Sequence, residues 1–239
     1  MENTIQQVVD RWNQRIDQLD AVTNNLANAG SLGYKSFRIQ FNEIADASQA
    51  PGEGDRLLTA VSTDFSRGGI QATGNPLDVA IEGEGFFAVQ TASGIAYTRR
   101  GSFSVNKKGD LVNDSGEDVL GTSGSKINIA DGTVQIGGEG DIFVDGRKVD
   151  NLKVVVFSDK TKLERLPGSL FRDPGTAGLT ENKKPEIHAE HVETSNVNVV
   201  TEMVQMINVQ RMIEFYQKNM LAISEMDKIS SNRVGRLYS

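Results

Sequence analysis

The chain has 239 residues, enough for one elaborate core or one core with extensions. Its 25 Lys and Arg against 32 Asp and Glu leave a net charge of −7, which argues against wrapping nucleic acid or docking on anionic lipid and makes proteins the expected partners. With no cysteine, disulfides, thiolate metal sites and thiol catalysis are excluded.

The first thirty residues contain no basic segment followed by an apolar one, so no cleaved secretory signal is expected. Instead Ile5, Trp12, Leu19 and Leu26 recur every seven residues, with Val8, Val9, Ile16, Val22 and Ala29 near the intermediate positions. That spacing predicts an amphipathic helix over about residues 3–29, stopped by Gly30 and Gly33. Residues 31–75 read as a linker with short strands, interrupted by loops at Ala50-Pro51-Gly52-Glu53-Gly54 and Arg67-Gly68-Gly69.

Between 76 and 192 the period falls to two. Leu77, Val79 and Ile81 alternate with polar residues, and the pairs Ile127 and Ile129, Val134 and Ile136, Ile142 and Val144, and Val154 and Val156 repeat the pattern. Ser93-Gly94, Lys108-Gly109, Asp131-Gly132 and Asp145-Gly146 supply hairpin turns between them. This segment is expected to be an antiparallel β domain.

From 193 to 239 the period is helical again, with Ser195, Asn196 and Asn198 as candidate N-caps for a helix over about 198–232. Met206, Val209, Ile213, Tyr216, Met220 and Ile223 form one stripe, and Met203, Val204, Ile207, Met212, Phe215 and Leu221 widen it beyond what one partner helix hides. At 1.5 Å per residue the two helices run roughly 40 and 50 Å and overrun a β domain whose radius of gyration is on the order of 15 Å. They must pack against each other. Whether that pair merely braces the β domain or also packs against neighbouring copies stays open. Five methionines, Met203, Met206, Met212, Met220 and Met226, suit a helix with several different neighbours, although core filling is the commoner reason for such a stripe. The fold class is α+β, with long N- and C-terminal helices and a central, mainly antiparallel β domain.

Little in the sequence supports catalysis. Gly83-Glu84-Gly85-Phe86-Phe87-Ala88 matches a loose dinucleotide fingerprint, but the residues after it read as a strand and not as the helix whose N-terminus would face a pyrophosphate. His188 and His191 lie three apart in a strand-like stretch, which should point them to opposite faces and leaves too few ligands for a metal. Nucleophile elbows and a Walker A loop are missing, and the basic doublets at Arg99-Arg100, Lys107-Lys108 and Lys183-Lys184 are too sparse for a nucleic-acid stripe. No run of eighteen apolar residues occurs, so no membrane-spanning helix is expected. No catalytic residue, metal or cofactor is assigned.

Three segments carry a resemblance. Thr23-Asn24-Asn25-Leu26-Ala27-Asn28-Ala29 with Gly33-Tyr34-Lys35 resembles the N-N-L-A-N-x-x-T-x-G-[FY]-K signature of bacterial flagellar rod and hook proteins. Gly74-Asn75-Pro76-Leu77-Asp78-Val79-Ala80-Ile81-Glu82-Gly83-Glu84-Gly85-Phe86-Phe87, followed by Tyr97-Thr98-Arg99 and Gly101-Ser102-Phe103, is similar to the central signature of members with an extra β domain. Glu193-Thr194-Ser195-Asn196-Val197-Asn198-Val199-Val200-Thr201-Glu202-Met203-Val204 is similar to their carboxy-terminal signature. Within the family the carboxy-terminal run is most like the proximal rod type and next like the distal type.

The resemblance implies a structural axial subunit whose terminal helices form an inner tubular coiled-coil layer around a channel, with the β domain outside. It implies export without a cleaved signal through the flagellar type III apparatus, a periplasmic place in the basal body, and other rod subunits and itself as partners. The assembly surface is then expected at Ile5, Trp12, Leu19, Asn24, Asn25, Leu26 and Asn28, and at Met203, Met206, Val209, Ile213, Tyr216, Met220 and Ile223. Asn24, Asn25 and Asn28 would set register against a neighbour or cap the helix end. Gly83 and Gly85 would permit a tight corner, and Phe86 and Phe87 would send one ring inward and one outward. A rival of another class is a monomeric β binding module held by a helical hairpin.

Overall fold

Long helices bracket the chain. The computed structural model describes residues 2–44, 56–129 and 132–235 and places α1 at Glu2–Ala27 and α2 at Val199–Gly235. The loop at Ala50–Gly54 and Asp131 of the Asp131-Gly132 turn lie outside the described residues, as does the side chain of Ile5. The chain forms two compact units: one takes α1, Phe37–Ser62 and α2, the other Asn28–Ser36 and Thr63–Val197.

In the helical unit α1 and α2 pack on each other, and the paired strands β1 (Phe37–Ile44) and β2 (Arg56–Thr63) follow α1. α1 ends at Ala27, two residues before the sequence expectation, and α2 runs three residues further than expected. Of the three candidate caps Asn198 is the one used: its Oδ1 accepts from the Thr201 N–H at 3.1 Å, satisfying one of the open donors of the first turn. On α2, Val209 and Ile213 are buried and Met206, Tyr216, Met220 and Ile223 half-buried, so the narrow stripe is the face turned to α1. On α1, Val22 is buried, and Trp12, Leu19 and Leu26 are half-buried. The apolar residues that widen the stripe are not covered: Phe215 is 61% and Leu221 70% exposed, Met203, Val204, Ile207 and Met212 are between 40% and 53% exposed, and Val200 on the first turn is 71% exposed.

Asn25 acts inside this unit. It is buried, and its amide brackets the start of β1, with Oδ1 accepting from the Phe37 N–H at 2.7 Å and Nδ2 donating to the Phe37 carbonyl at 2.9 Å. An Asn25→Ala substitution orphans both backbone groups and is expected to cost about 1–3 kcal/mol, read as earlier thermal unfolding of the helical signal in circular dichroism.

The β unit contains β3 (Ile70–Ala72), β4 (Val79–Glu82), β5 (Phe86–Thr91), β6 (Gly94–Thr98), β7 (Phe103–Val105), β8 (Leu111–Asn113), β9 (Asp118–Val119), β10 (Val134–Ile136), β11 (Asp141–Val144), β12 (Arg147–Asn151), β13 (Val154–Phe157), β14 (Glu164–Leu166), β15 (Leu170–Arg172), β16 (Leu179–Glu181), β17 (Glu186–Ala189) and β18 (His191–Glu193). Its main sheet runs β14-β15-β6-β5-β9-β8-β7, with β13 joining β5 to β16, and smaller sheets pair β10-β11-β12, β17-β4 and β18-β3. The pairings are antiparallel, for instance Ala88 opposite Tyr97 and Ile187 opposite Ile81. At the β11–β12 turn, Asp145 and Gly146 take φ of 48° and 74°, the left-handed pair that a two-residue hairpin demands.

Two findings correct the sequence reading here. Phe86 and Phe87 do point to opposite faces of β5, but neither is outward, because the sheet is covered on both sides. Phe87 packs with Val79, Phe103 and Leu111, whereas Phe86 packs with Tyr97, Phe157 and Phe171, edge-on to Phe157 at 5.6 Å. Ile127 and Ile129 lie outside any named strand: flanking residues make isolated bridges, Lys126 to Leu120 and Asn128 to Asp110, while both isoleucines are buried. Alternation there records burial without a continuous ladder partner.

Candidate functional site

The three recurring motifs, far apart in sequence, meet inside the β unit. Lys35, Arg99 and Glu193 are 1%, 4% and 2% exposed. Glu193 bridges the two cations: its Oε1 accepts from Lys35 Nζ at 2.6 Å and its Oε2 from Arg99 Nε at 2.7 Å. Oε1 also accepts from the Gly68 N–H at 3.1 Å, and the Glu193 carbonyl accepts from the Gly33 N–H at 2.7 Å. Arg99 then donates to the carbonyls of Gly85 (2.7 Å), Gly83 (3.0 Å) and Ile81 (3.2 Å).

Backbone conformation makes this possible. Gly83 and Gly85 have φ of 92° and 153°, turning the corner between β4 and β5 so that their carbonyls face the guanidinium. The loose dinucleotide motif is therefore a cradle of acceptors for a cation, followed by a strand. Gly33, at φ 62°, presses so closely on the Arg99–Arg100 backbone that a Cβ would lie 2.5 Å from the Arg100 nitrogen.

Further bonds hold the segment entering the β unit beside the one leaving it. Asn196 Oδ1 accepts from the Ser36 N–H at 2.8 Å, and its Nδ2 donates to the Asp64 carbonyl at 2.8 Å. The Asn196 N–H donates to the Tyr34 carbonyl at 3.3 Å. Arg165 donates to the Lys35 carbonyl at 2.7 Å and lays its guanidinium 4.5 Å from the buried Tyr34 ring. Burial pushes the Lys35 ammonium and the Arg99 guanidinium below their ordinary values, and the Glu193 carboxylate opposes the shift in both. Two buried cations sharing one carboxylate and a network of carbonyl acceptors fit a structural lock.

The assembly residues anticipated from sequence fall into different surroundings. Asn24 is exposed, Asn25 clamps β1, and Asn28 accepts from the Ser31 hydroxyl at 3.2 Å in the turn after α1. Glu202, on the first turn of α2, is hydrogen-bonded to Asn25. Burial raises its pKa, the Asn25 bond opposes that shift, and its Oε2 is buried with no partner among the described residues. Among the motif residues, Asn75 Oδ1 accepts from the Leu77 N–H and its Nδ2 donates to Asp78 at 3.1 Å, a local turn beside Gly74 and Pro76.

The two histidines differ from expectation. Glu190, at φ 60°, breaks the extended run between β17 and β18, so the rings approach to 5.7 Å instead of facing apart. His188 pairs with Glu82 across the β4–β17 ladder, and His191 Nδ1 donates to the Ala189 carbonyl at 2.7 Å. Among the described residues no group of three or more His, Asp or Glu could hold a metal.

Sequence reasoning missed the Lys35–Glu193–Arg99 cluster. Its members are separated by 158 and 94 residues, which leaves no spacing signal. A usable clue was present: the first signature carries Lys35 as its one charge among small and apolar neighbours, and such a charge is buried only when paired.

Comparison with known proteins agrees with the three motifs. Residues 80–144 match the family described as the flagellar hook protein FlgE/F/G D1 domain, and residues 188–233 match the flagellar basal body rod FlgEFG protein C-terminal family. The chain is 30% identical to the flagellar basal-body rod protein FlgF of Caulobacter vibrioides over 99% of this chain and 100% of that one. It is 30% identical to FlgF of Mesorhizobium japonicum over 82% and 83%. It is 28% identical to FlgG of Bacillus subtilis over 89% and 90%.

Proposed function

The chain belongs to the flagellar basal-body rod protein family and is a structural subunit of the rod, not an enzyme; from that premise we propose that α1 and α2 build the inner coiled-coil layer of a helically polymerised shaft. The uncovered apolar band of α2 carries this reading. One face of α2 is satisfied by α1, yet Val200, Val204, Ile207, Phe215 and Leu221 remain at least half exposed along the helix. An exposed apolar band of that kind marks a protein interaction surface. A surface that docks on a different surface of the next copy propagates into a helix, which is the geometry a shaft requires.

In this reading the β unit forms the outer layer, stiffened by the Glu193 lock so that torque passes through it without local melting. The subunit reaches the periplasmic basal body through the flagellar type III apparatus, and its partners are other rod subunits and further copies of itself. No helix among the described residues is long and apolar enough to cross a membrane. The monomeric-module alternative accounts for the helix pair and leaves the outer band unexplained.

A photoreactive amino acid placed at Ile207 in flagellated cells tests the proposal. Illumination is expected to join the chain covalently to another rod subunit. Adducts confined to a single chain, in cells with complete basal bodies, would refute it.

A further inference from the structure

A cleft of about 30 Å³ in the β unit is lined by Lys35, Phe65, Arg67, Glu84, Arg99 and Lys160, together with the Gly83–Phe86 backbone. Its floor is made by the two buried cations. An ammonium has three donors and a guanidinium five. Lys35 uses two, on Glu193 and the Ser66 carbonyl at 2.7 Å, and Arg99 uses four, on Glu193 and the three carbonyls of the β4–β5 corner. Each keeps one N–H without an acceptor among the described residues. At the rim, Lys160 is engaged by Glu84 at 2.6 Å, and Arg67 is exposed with no ion pair among the described residues. Four cations thus line the cleft against one acid. Counting Glu193 and Asp64, whose charges act on Lys35, the cations still outnumber the acids.

The size of the cleft narrows the ligand. At about 30 Å³ the cleft has room for a small polar group such as a carboxylate. A positive notch on a chain of net charge −7 is complementary to the chain's own surface, and such complementarity fixes partner and register. We propose that the cleft receives the carboxylate of an Asp or Glu side chain from an adjacent copy of this chain. Arg67 pairs with it at the rim, and the spare N–H groups of Lys35 and Arg99 donate to it at the floor.

The inference rests on the rod reading above, and its test separates the two. Basal bodies carrying Arg67→Lys, a conservative change at an exposed position, are treated with a water-soluble carbodiimide, which condenses an amine with a carboxylate in contact with it. Mass spectrometry is expected to find an amide between position 67 and an Asp or Glu of another copy, lost in Arg67→Ala. A link from position 67 only to Glu84 of the same chain, or no link, in basal bodies that contain the chain would overturn the proposal. Saturable binding of acetate to the isolated chain, shifting the Arg99 Nε–H resonance without any interchain link, would overturn it too, by making the ligand a free anion. Basal bodies without the chain would bring down the rod reading and this inference together.

Discussion

Replacing Glu193 with alanine is expected to destabilise the β unit by about 3–5 kcal/mol, because it strands two cations in the interior. Lys35 and Arg99 are 1% and 4% exposed, and Arg99 is held by the carbonyls at the corner between β4 and β5. The Gly68 N–H loses its acceptor as well. Glu193→Gln should fall between, since an amide oxygen still accepts one bond but removes the balancing charge. The probe must report on this unit, and the single tryptophan, Trp12, lies in the other. Amide exchange of β4 and β5 is therefore the measurement, with protection expected to drop by roughly two to four orders of magnitude. Glu181→Ala, at an exposed position on β16, should change stability by less than about 0.5 kcal/mol. Equal effects of the two substitutions would show that the Glu193 cluster holds nothing together.

Phe215→Asp is expected to leave the isolated chain folded and to weaken its incorporation into the rod. The ring is 61% exposed and touches only Tyr216 among the aromatic side chains of the described residues, at 5.8 Å, so the monomer loses little. In the shaft the same position would bury a carboxylate in an apolar contact, forfeiting about 2–3 kcal/mol of burial before any desolvation cost. That corresponds to roughly 30- to 150-fold weaker incorporation. Occupancy of the chain in purified basal bodies and swarming motility are the readouts. Val209→Asp gives the contrast: Val209 is 3% exposed on the face turned to α1, so that substitution should unfold the helix pair before assembly is reached.

The helices were legible because burial imposes a period. The stripe from Met206 to Ile223 that periodicity marked as one face is the face α1 covers, and the residues marked as excess are those left uncovered. The start of α2 was legible to within a residue, although the cap is settled by a local competition: of Ser195, Asn196 and Asn198, two are diverted, Ser195 to the Val197 N–H and Asn196 to Ser36. Strand alternation showed where apolar side chains go but not whether the opposite face is wet, hence the error on Phe86. The glycine corner looked like a phosphate loop since both need positive φ. Only the partner, Arg99 fourteen residues beyond Gly85, reveals which way its carbonyls are used. The charge cluster was illegible, being a purely tertiary meeting of three motifs.

The most direct test of the account is a side-chain-resolution map of the intact basal body by electron cryomicroscopy. Val204, Ile207, Phe215 and Leu221 should each lie within about 4.5 Å of apolar atoms of another subunit. A map in which that band faces water, while neighbouring subunits touch the chain only through its β unit, would contradict it.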